Sequence, residues 1–304
     1  MQSKLSVVTG AFGYTGRYIA RRLLDQGESV RTLTRNPASR SPFGPQVDTR
    51  PLDFGNYEQL VASLTGADTF YNTYWIRFPR GSLTYETATS NSLLLFRAAV
   101  EAGIRRIVHI SITNASEDSS LRYFRGKGVV ERAIHESGLS YAILRPTVLY
   151  SLEDVLINNI AWFLRRFPVF PIAGSGDYPI QPVLVDDVAR LSVELGARND
   201  NVALDAVGPE TFTFEELVRL LARRVGTRVW LMHLPPSLTF LASQMAGLLV
   251  RDVVLTKDEV DGLMAGLLVS GDAPTTSTRF TEWLRANGAN VGRRYASELG
   301  RHYR

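Results

Sequence analysis

Short apolar runs alternate with amphipathic stretches through the first half of the chain. Residues 5–8, 30–34, 47–52, 67–71, 106–110 and 141–144 are brief, aliphatic or β-branched, and bounded by turn residues, which predicts six strands. Between the first two, Ile19, Ala20, Leu23 and Leu24 recur at helical spacing ahead of Gly27. Residues 57–64, 91–102 and 121–136 carry the same period, the last two closing at Gly103 and Gly138. Strand and helix in strict alternation predict an α/β fold, a doubly wound parallel sheet with helices on both faces. Right-handed crossovers then carry every strand's C-terminal end to one edge, where such sheets bind ligands.

Past residue 150 the alternation weakens. Residues 168–182 are rich in Pro and Gly, and Asp186 and Asp187 head a helical stretch. Thr213-Phe214-Glu215-Glu216 has the pattern of a capped helix start, and residues 237–254 and 257–268 read as apolar-faced helices. The expected division is therefore 1–150 as a nucleotide-binding domain. Residues 151–304 would form a smaller, mainly helical subdomain that covers the ligand-binding edge on the substrate side and packs with the first as one unit.

The first turn carries the chemistry. Gly10-Ala11-Phe12-Gly13-Tyr14-Thr15-Gly16 follows a strand and opens a helix. Glycines there allow a tight turn, a close approach to a pyrophosphate, and packing of helix on strand, while the helix N-terminus presents N–H groups to phosphate. Gly10, Phe12, Gly13, Tyr14, Thr15 and Gly16 are therefore the candidate phosphate contacts of a Rossmann-type domain. NAD-selective domains end the second strand on a carboxylate that binds the ribose hydroxyls. This chain has Thr34-Arg35-Asn36 instead. An arginine there suits a 2′-phosphate and predicts NADP(H) in preference to NAD(H). Asp53 and Phe54 are expected beside the adenine, with Asp53 capping the following helix as its plainer role. Asn72, Thr73, Tyr74 and Ser111 end strands on the same edge.

Tyr123 and Lys127 are four residues apart on one helix and share a face. An ammonium beside a phenol favours the phenolate, and the phenol can then exchange a proton with a substrate oxygen while hydride moves to or from a nicotinamide. The plainer reading is a structural tyrosine with a surface lysine. Gly126, between them, suggests a close approach at that point of the helix.

Composition narrows the field without redirecting it. The chain has no cysteine, which excludes disulfides, thiolate metal sites and thiol catalysis. Its histidines, at 109, 135, 233 and 302, have no metal-ligand spacing, so no metal is expected. The net charge is +4 and the arginines are scattered, which argues against a nucleic-acid face. No cleavable leader pattern is visible, and residues 237–250 are too short to span a bilayer, so a cytoplasmic monomer or homodimer is expected. Peripheral membrane contact through residues 238–268 and Arg251 is a further option, with core packing the competing explanation of those helices.

The glycine turn together with Tyr123-Phe124-Arg125-Gly126-Lys127 resembles the short-chain dehydrogenase/reductase superfamily in its extended or atypical branch, the NAD(P)-dependent epimerase/dehydratase group. His109-Ile110-Ser111, Leu144-Arg145-Pro146, the run from Gln181 to Val188 and Gly208-Pro209-Glu210 extend the resemblance, which is nearest to NmrA-like proteins and to the nucleotide-binding accessory subunits of mitochondrial complex I. The resemblance implies Tyr123 as acid/base, Lys127 as the residue holding the nicotinamide ribose, and Thr113 as the hydrogen-bond partner of the substrate oxygen, with Ser111 in reserve. Pro146 would line the carboxamide. Two departures stand out: Ile112 replaces a common serine, and Ser151 a common glycine. The implied activity is an NADP(H)-dependent oxidoreductase acting on a small carbonyl, quinone-like or nucleotide-linked substrate. The alternatives are a non-catalytic NAD(P)H-binding regulator or accessory subunit, and an epimerase or dehydratase with tightly held cofactor.

Overall fold

The computed structural model describes residues 4–35 and 41–302. Asn36, next to the candidate Arg35, lies outside them. The chain forms two compact units, Met1–Pro146 with Val185–Asp205, and Thr147–Leu184 with Ala206–Arg304.

In the first unit all six predicted strands form: β1 (Leu5–Thr9), β2 (Ser29–Thr34), β3 (Val47–Pro51), β4 (Thr69–Asn72), β5 (Arg106–Ile110) and β6 (Ser140–Pro146). They alternate with α1 (Tyr14–Asp25), α2 (Tyr57–Leu64), α3 (Tyr85–Glu101) and α4 (Arg122–Glu136). The order across the sheet is β3-β2-β1-β4-β5-β6, the neighbours pair in parallel, and the strand Val202–Ala206 completes a seven-stranded sheet beyond β6. The order reverses between β1 and β4, the crevice where such sheets receive nucleotides. Val7, Leu33, Phe70, Ile107 and Ile143 from the strands bury against Leu60, Leu95, Phe96, Val130 and Ile134 from the helices.

Helix α3 starts six residues before its predicted position. Thr84 caps it by accepting from the Thr87 N–H at 3.1 Å, and the polar run that hid this turn bonds back to the helix. The Thr89 and Ser92 hydroxyls donate to the carbonyls of Tyr85 and Ala88. Such residues are poor helix signals because their hydroxyls compete for the backbone, yet i−4 bonding accommodates them.

The expected boundary at 150 is corrected by the segment Val185–Asp205, which returns to the first unit. Arg22 holds its helix by a bidentate pair with Asp186, at 2.9 and 2.6 Å. The fully buried Arg106 guanidinium on β5 donates to the carbonyls of Leu195 (2.7 Å) and Asp200 (2.9 Å) and to Ser140 Oγ (2.5 Å). A period reading cannot see this, because the anchors are single polar side chains 89 and 94 residues away in sequence. Arg106→Ala would leave buried carbonyls unsatisfied and is expected to cost about 3 kcal/mol, measurable as a lowered denaturant midpoint.

The second unit has its own core, in which Tyr150, Ile157, Ile160 and Ile172 meet Leu217, Leu221, Phe280 and Leu284. The helix Phe214–Val225 starts with the predicted capping box between Thr213 and Glu216. Short paired strands join the expected helices: Val148–Tyr150 with Pro182–Leu184, and Val169–Ala173 with Trp230–Leu234. The helix Leu156–Leu164, unpredicted, is capped by buried Asp154, which accepts from the Ile157 N–H at 2.6 Å and from Asn158 Nδ2 at 2.8 Å. Burial raises the Asp154 carboxyl to about 6, against the pull of its N–H donors. Its folded value lies above the ordinary one, so the contribution is greatest in acid and is lost as pH rises through about 6. Asp154→Asn is expected to flatten this part of the stability–pH curve between pH 4 and 6, as read by thermal melts.

Candidate active site at the C-terminal sheet edge

The glycine turn works through three different constraints. Gly10 sits at φ +67°, a conformation that other residues adopt only at a cost. Gly16 has the α-helical backbone any residue could take, but a Cβ there would lie 2.3 Å from the Gly10 carbonyl oxygen. Gly13 is the N-cap of α1, donates its N–H to that same oxygen at 2.8 Å, and leaves the helix start with neither a side-chain cap nor an acidic residue in the first turn. The turn is fixed from β2, where Thr32 Oγ1 accepts from the Ala11 N–H at 3.0 Å and donates to the Val8 carbonyl at 2.9 Å. The result is a rigid, anion-accepting helix N-terminus that fits a pyrophosphate.

The neighbouring strand ends carry the other candidates. Arg35 follows the last residue of β2 and is exposed. Asp53, beyond β3, is exposed and accepts from the Gly55 N–H at 2.9 Å; the cap of α2 is Asn56, which accepts from the Gln59 N–H at 3.0 Å. The helix-capping role considered for Asp53 is thus taken by Asn56. Phe54 packs on Tyr74 with ring centroids 5.0 Å apart, which joins the predicted adenine flank to the end of β4.

At the end of β4 the side chains of Asn72 and Thr73 turn back into the fold. Asn72 is fully buried, accepts from Thr9 Oγ1 at 3.0 Å and donates to His109 Nδ1 at 3.1 Å, so the imidazole carries its proton on Nε2. Burial and the nearby Lys127 hold His109 neutral, well below its ordinary value. Thr73 donates to the Thr9 carbonyl at 2.6 Å. These two side chains lash β4 to β1, and the Thr73 N–H adds a third link by donating to Thr9 Oγ1 at 2.8 Å.

Tyr123, Lys127 and Glu131 form one line along α4, a turn apart. Lys127 is buried, donates to the Ile110 carbonyl at 2.8 Å, and lies 4.7 Å from the centre of the Trp75 ring. Burial lowers its ammonium to about 7, with Glu131 opposing. Tyr123 meets the same indole edge to face at 5.9 Å and meets Tyr85 at 5.8 Å. Trp75 also explains Gly126: a Cβ there would sit 2.9 Å from its ring and 3.1 Å from Thr89 Oγ1. Trp75, Tyr85 and Glu131 escaped the sequence reading. Trp75 adjoins the candidate Tyr74, and Glu131 stands four residues past Lys127, so position alone would have flagged both.

Ser111 and Thr113, the two candidate partners of a substrate oxygen, already serve carboxylates. The buried Ser111 hydroxyl donates to Glu131, which also takes a bidentate Arg145, Nε to Oε1 at 3.1 Å and Nη2 to Oε2 at 2.5 Å. Thr113 is fully buried and donates to Asp205 Oδ2 at 2.6 Å, while its N–H reaches the Pro146 carbonyl at 3.1 Å. The Pro146 carbonyl is therefore committed to the Thr113 N–H. Among the described residues no group of three or more His, Cys, Asp or Glu side chains could hold a metal.

Residues 10–157 match the family model for NAD(P)H-binding proteins. The chain is 24% identical over 289 residues to subunit 9 of the mitochondrial NADH dehydrogenase (ubiquinone) 1 alpha subcomplex of Arabidopsis thaliana, covering 88% of this chain and 72% of that one. It superposes on an NADPH-dependent quinone oxidoreductase of Escherichia coli, complexed with NADPH, with a TM-score of 0.75 at 21% identity, over 92% of this chain and 99% of that one. A triphenylmethane reductase of Citrobacter sp. complexed with NADP(H) gives 0.77 at 19% identity, with the same coverage of both chains. Residues 10–157 thus resemble an NAD(P)H-binding domain, and the glycine cradle and reversed sheet order belong to the fold that the chain shares with these reductases.

Proposed function

We propose that the chain is an NADP(H)-dependent reductase of a small carbonyl or quinone-like acceptor. The observation that carries this reading is the pairing of Tyr123 and Lys127 on one face of α4, gathered around Trp75 at the ligand-binding edge. A bound nicotinamide supplies the hydride. Tyr123 then donates a proton to the acceptor oxygen, so that a carbonyl gains one hydride and one proton. The Lys127 ammonium, buried and held by the Ile110 carbonyl, steadies negative charge at the ribose and phenol side of the site. The Gly10–Gly16 cradle holds the pyrophosphate, and Arg35 pairs with the 2′-phosphate. Arg35→Ala is expected to weaken NADPH binding about 30-fold and NADH binding less than about threefold, by fluorescence titration. Equal losses would remove the preference for NADP(H).

A second reading, a nucleotide-binding regulator or accessory subunit without turnover, draws on two features. The Thr113 hydroxyl is committed to Asp205, and the Trp75 ring packs against Gly126 and Lys127. NADPH consumption across a panel of aldehydes, ketones and quinones separates the two readings. Tight NADPH binding with no acceptor turned over supports the regulator and removes the reductase.

A further inference from the structure

In the second unit, the helix Pro236–Val250 is built inside out. Its buried positions are Thr239 and Ser243, whose hydroxyls bond back to the carbonyls of Pro235 and Phe240. Its exposed face carries Leu238, Leu241, Met245 and Leu248, spaced three, four and three apart, with Leu249 beside them. Leu248 is 82% exposed. The preceding strand adds Met232 and Trp230, the latter 81% exposed. Single exposed apolar residues are ordinary, but seven on one strand–helix unit form a patch that requires an occupant.

Charge identifies the occupant. No aspartate or glutamate occurs from Val229 to Val250, and the run is bracketed by the exposed Arg228 and Arg251. Of the acidic groups on neighbouring elements, Glu215 pairs with Arg219 and His233, and Asp261 with Lys257. Glu259 closes a capping box with Thr256, and Asp252 accepts the N–H groups of Glu298 and Leu299. Asp258 is half-buried in the first turn of its helix. An apolar ridge with a tryptophan, cationic ends and no carboxylate along it suits the headgroup–acyl boundary of an anionic bilayer. A second copy of the patch would bring arginines toward arginines, which disfavours a symmetric dimer. At 15 residues the helix is too short to cross, and no helix among the described residues is long and apolar enough to do so.

We propose that the strand Trp230–Leu234 and the helix Pro236–Val250 form a docking surface for anionic lipid membranes, lying in the plane of the interface. The test is flotation of the full chain with phosphatidylcholine vesicles and with phosphatidylcholine–phosphatidylglycerol vesicles. Binding is expected only to the anionic vesicles, falling about tenfold between low and high salt, with a blue shift of tryptophan emission. Trp230→Phe should remove most of that shift and keep the protein on the vesicles. Leu241→Asp with Leu248→Asp should lower partitioning about 100-fold while NADPH binding stays unchanged, which also reports that the variant is folded. Absence of flotation, or flotation indifferent to the double substitution, overturns the proposal. So does a concentration-dependent dimer abolished by the same pair when no vesicle binding is seen.

Discussion

Tyr123→Phe is expected to lower kcat by about 10³-fold and leave the NADPH dissociation constant within about threefold of the parent. The substitution removes one oxygen and keeps the ring that packs on Trp75 and Tyr85 at 5.9 and 5.8 Å, so the aromatic cluster persists. On the proposed mechanism, what disappears is the proton needed by the acceptor oxygen as hydride arrives. A loss confined to the Michaelis constant would instead assign Tyr123 to substrate binding. Unchanged turnover would transfer the proton donor to another group. Lys127→Met supplies a companion reading. With its ammonium lowered to about 7, Lys127 should contribute an inflection near that pH in the kcat profile, and the methionine variant should lose it.

Gly16→Val should have the largest effect on cofactor binding, a rise of at least about 100-fold in the NADPH dissociation constant, together with a stability loss of about 2–3 kcal/mol. The added Cβ would meet the Gly10 carbonyl oxygen at 2.3 Å and its carbonyl carbon at 2.8 Å, and both are backbone atoms that cannot swing away. Relief requires the turn to open, which moves the N–H groups of α1 out of register with a pyrophosphate. Gly13→Ala is a graded control. Its Cβ would stand 3.1 Å from the same oxygen, so a smaller loss is expected by calorimetry and fluorescence titration. Equal effects at the two positions would contradict the division of roles between them.

The central strands were legible because they are buried on both faces and read as apolar runs, such as Phe70 and Tyr71 or Ile107 and Val108. The glycine turn was legible because its backbone demands leave few alternatives to glycine. Polar side chains were harder to place, since a hydroxyl or amide at a strand end can face a ligand or the fold. Asn72, Ser111 and Thr113 all occupy the ligand-binding edge, yet each meets a protein partner: His109, Glu131 and Asp205 respectively. Those partners lie 37, 20 and 92 residues away, beyond the reach of any local pattern. Trp75 was missed for a related reason. Its place next to Tyr74 pointed to the site, but its packing against Gly126 and Lys127 joins residues far apart in sequence.

The return of Val185–Asp205 to the first sheet has a consequence for how the chain acquires its structure. Strand β6 ends at Pro146, but its outer neighbour, Val202–Ala206, arrives only some 56 residues later. During synthesis β6 therefore waits with one row of N–H and C=O groups unpaired, the state in which strands recruit foreign edges. A fragment cut near residue 150 would keep that open edge permanently and would strand the buried Arg106 without its Leu195 and Asp200 acceptors. The glycine cradle is complete by Gly16, but the sheet that supports it closes only once Asp205 has been made.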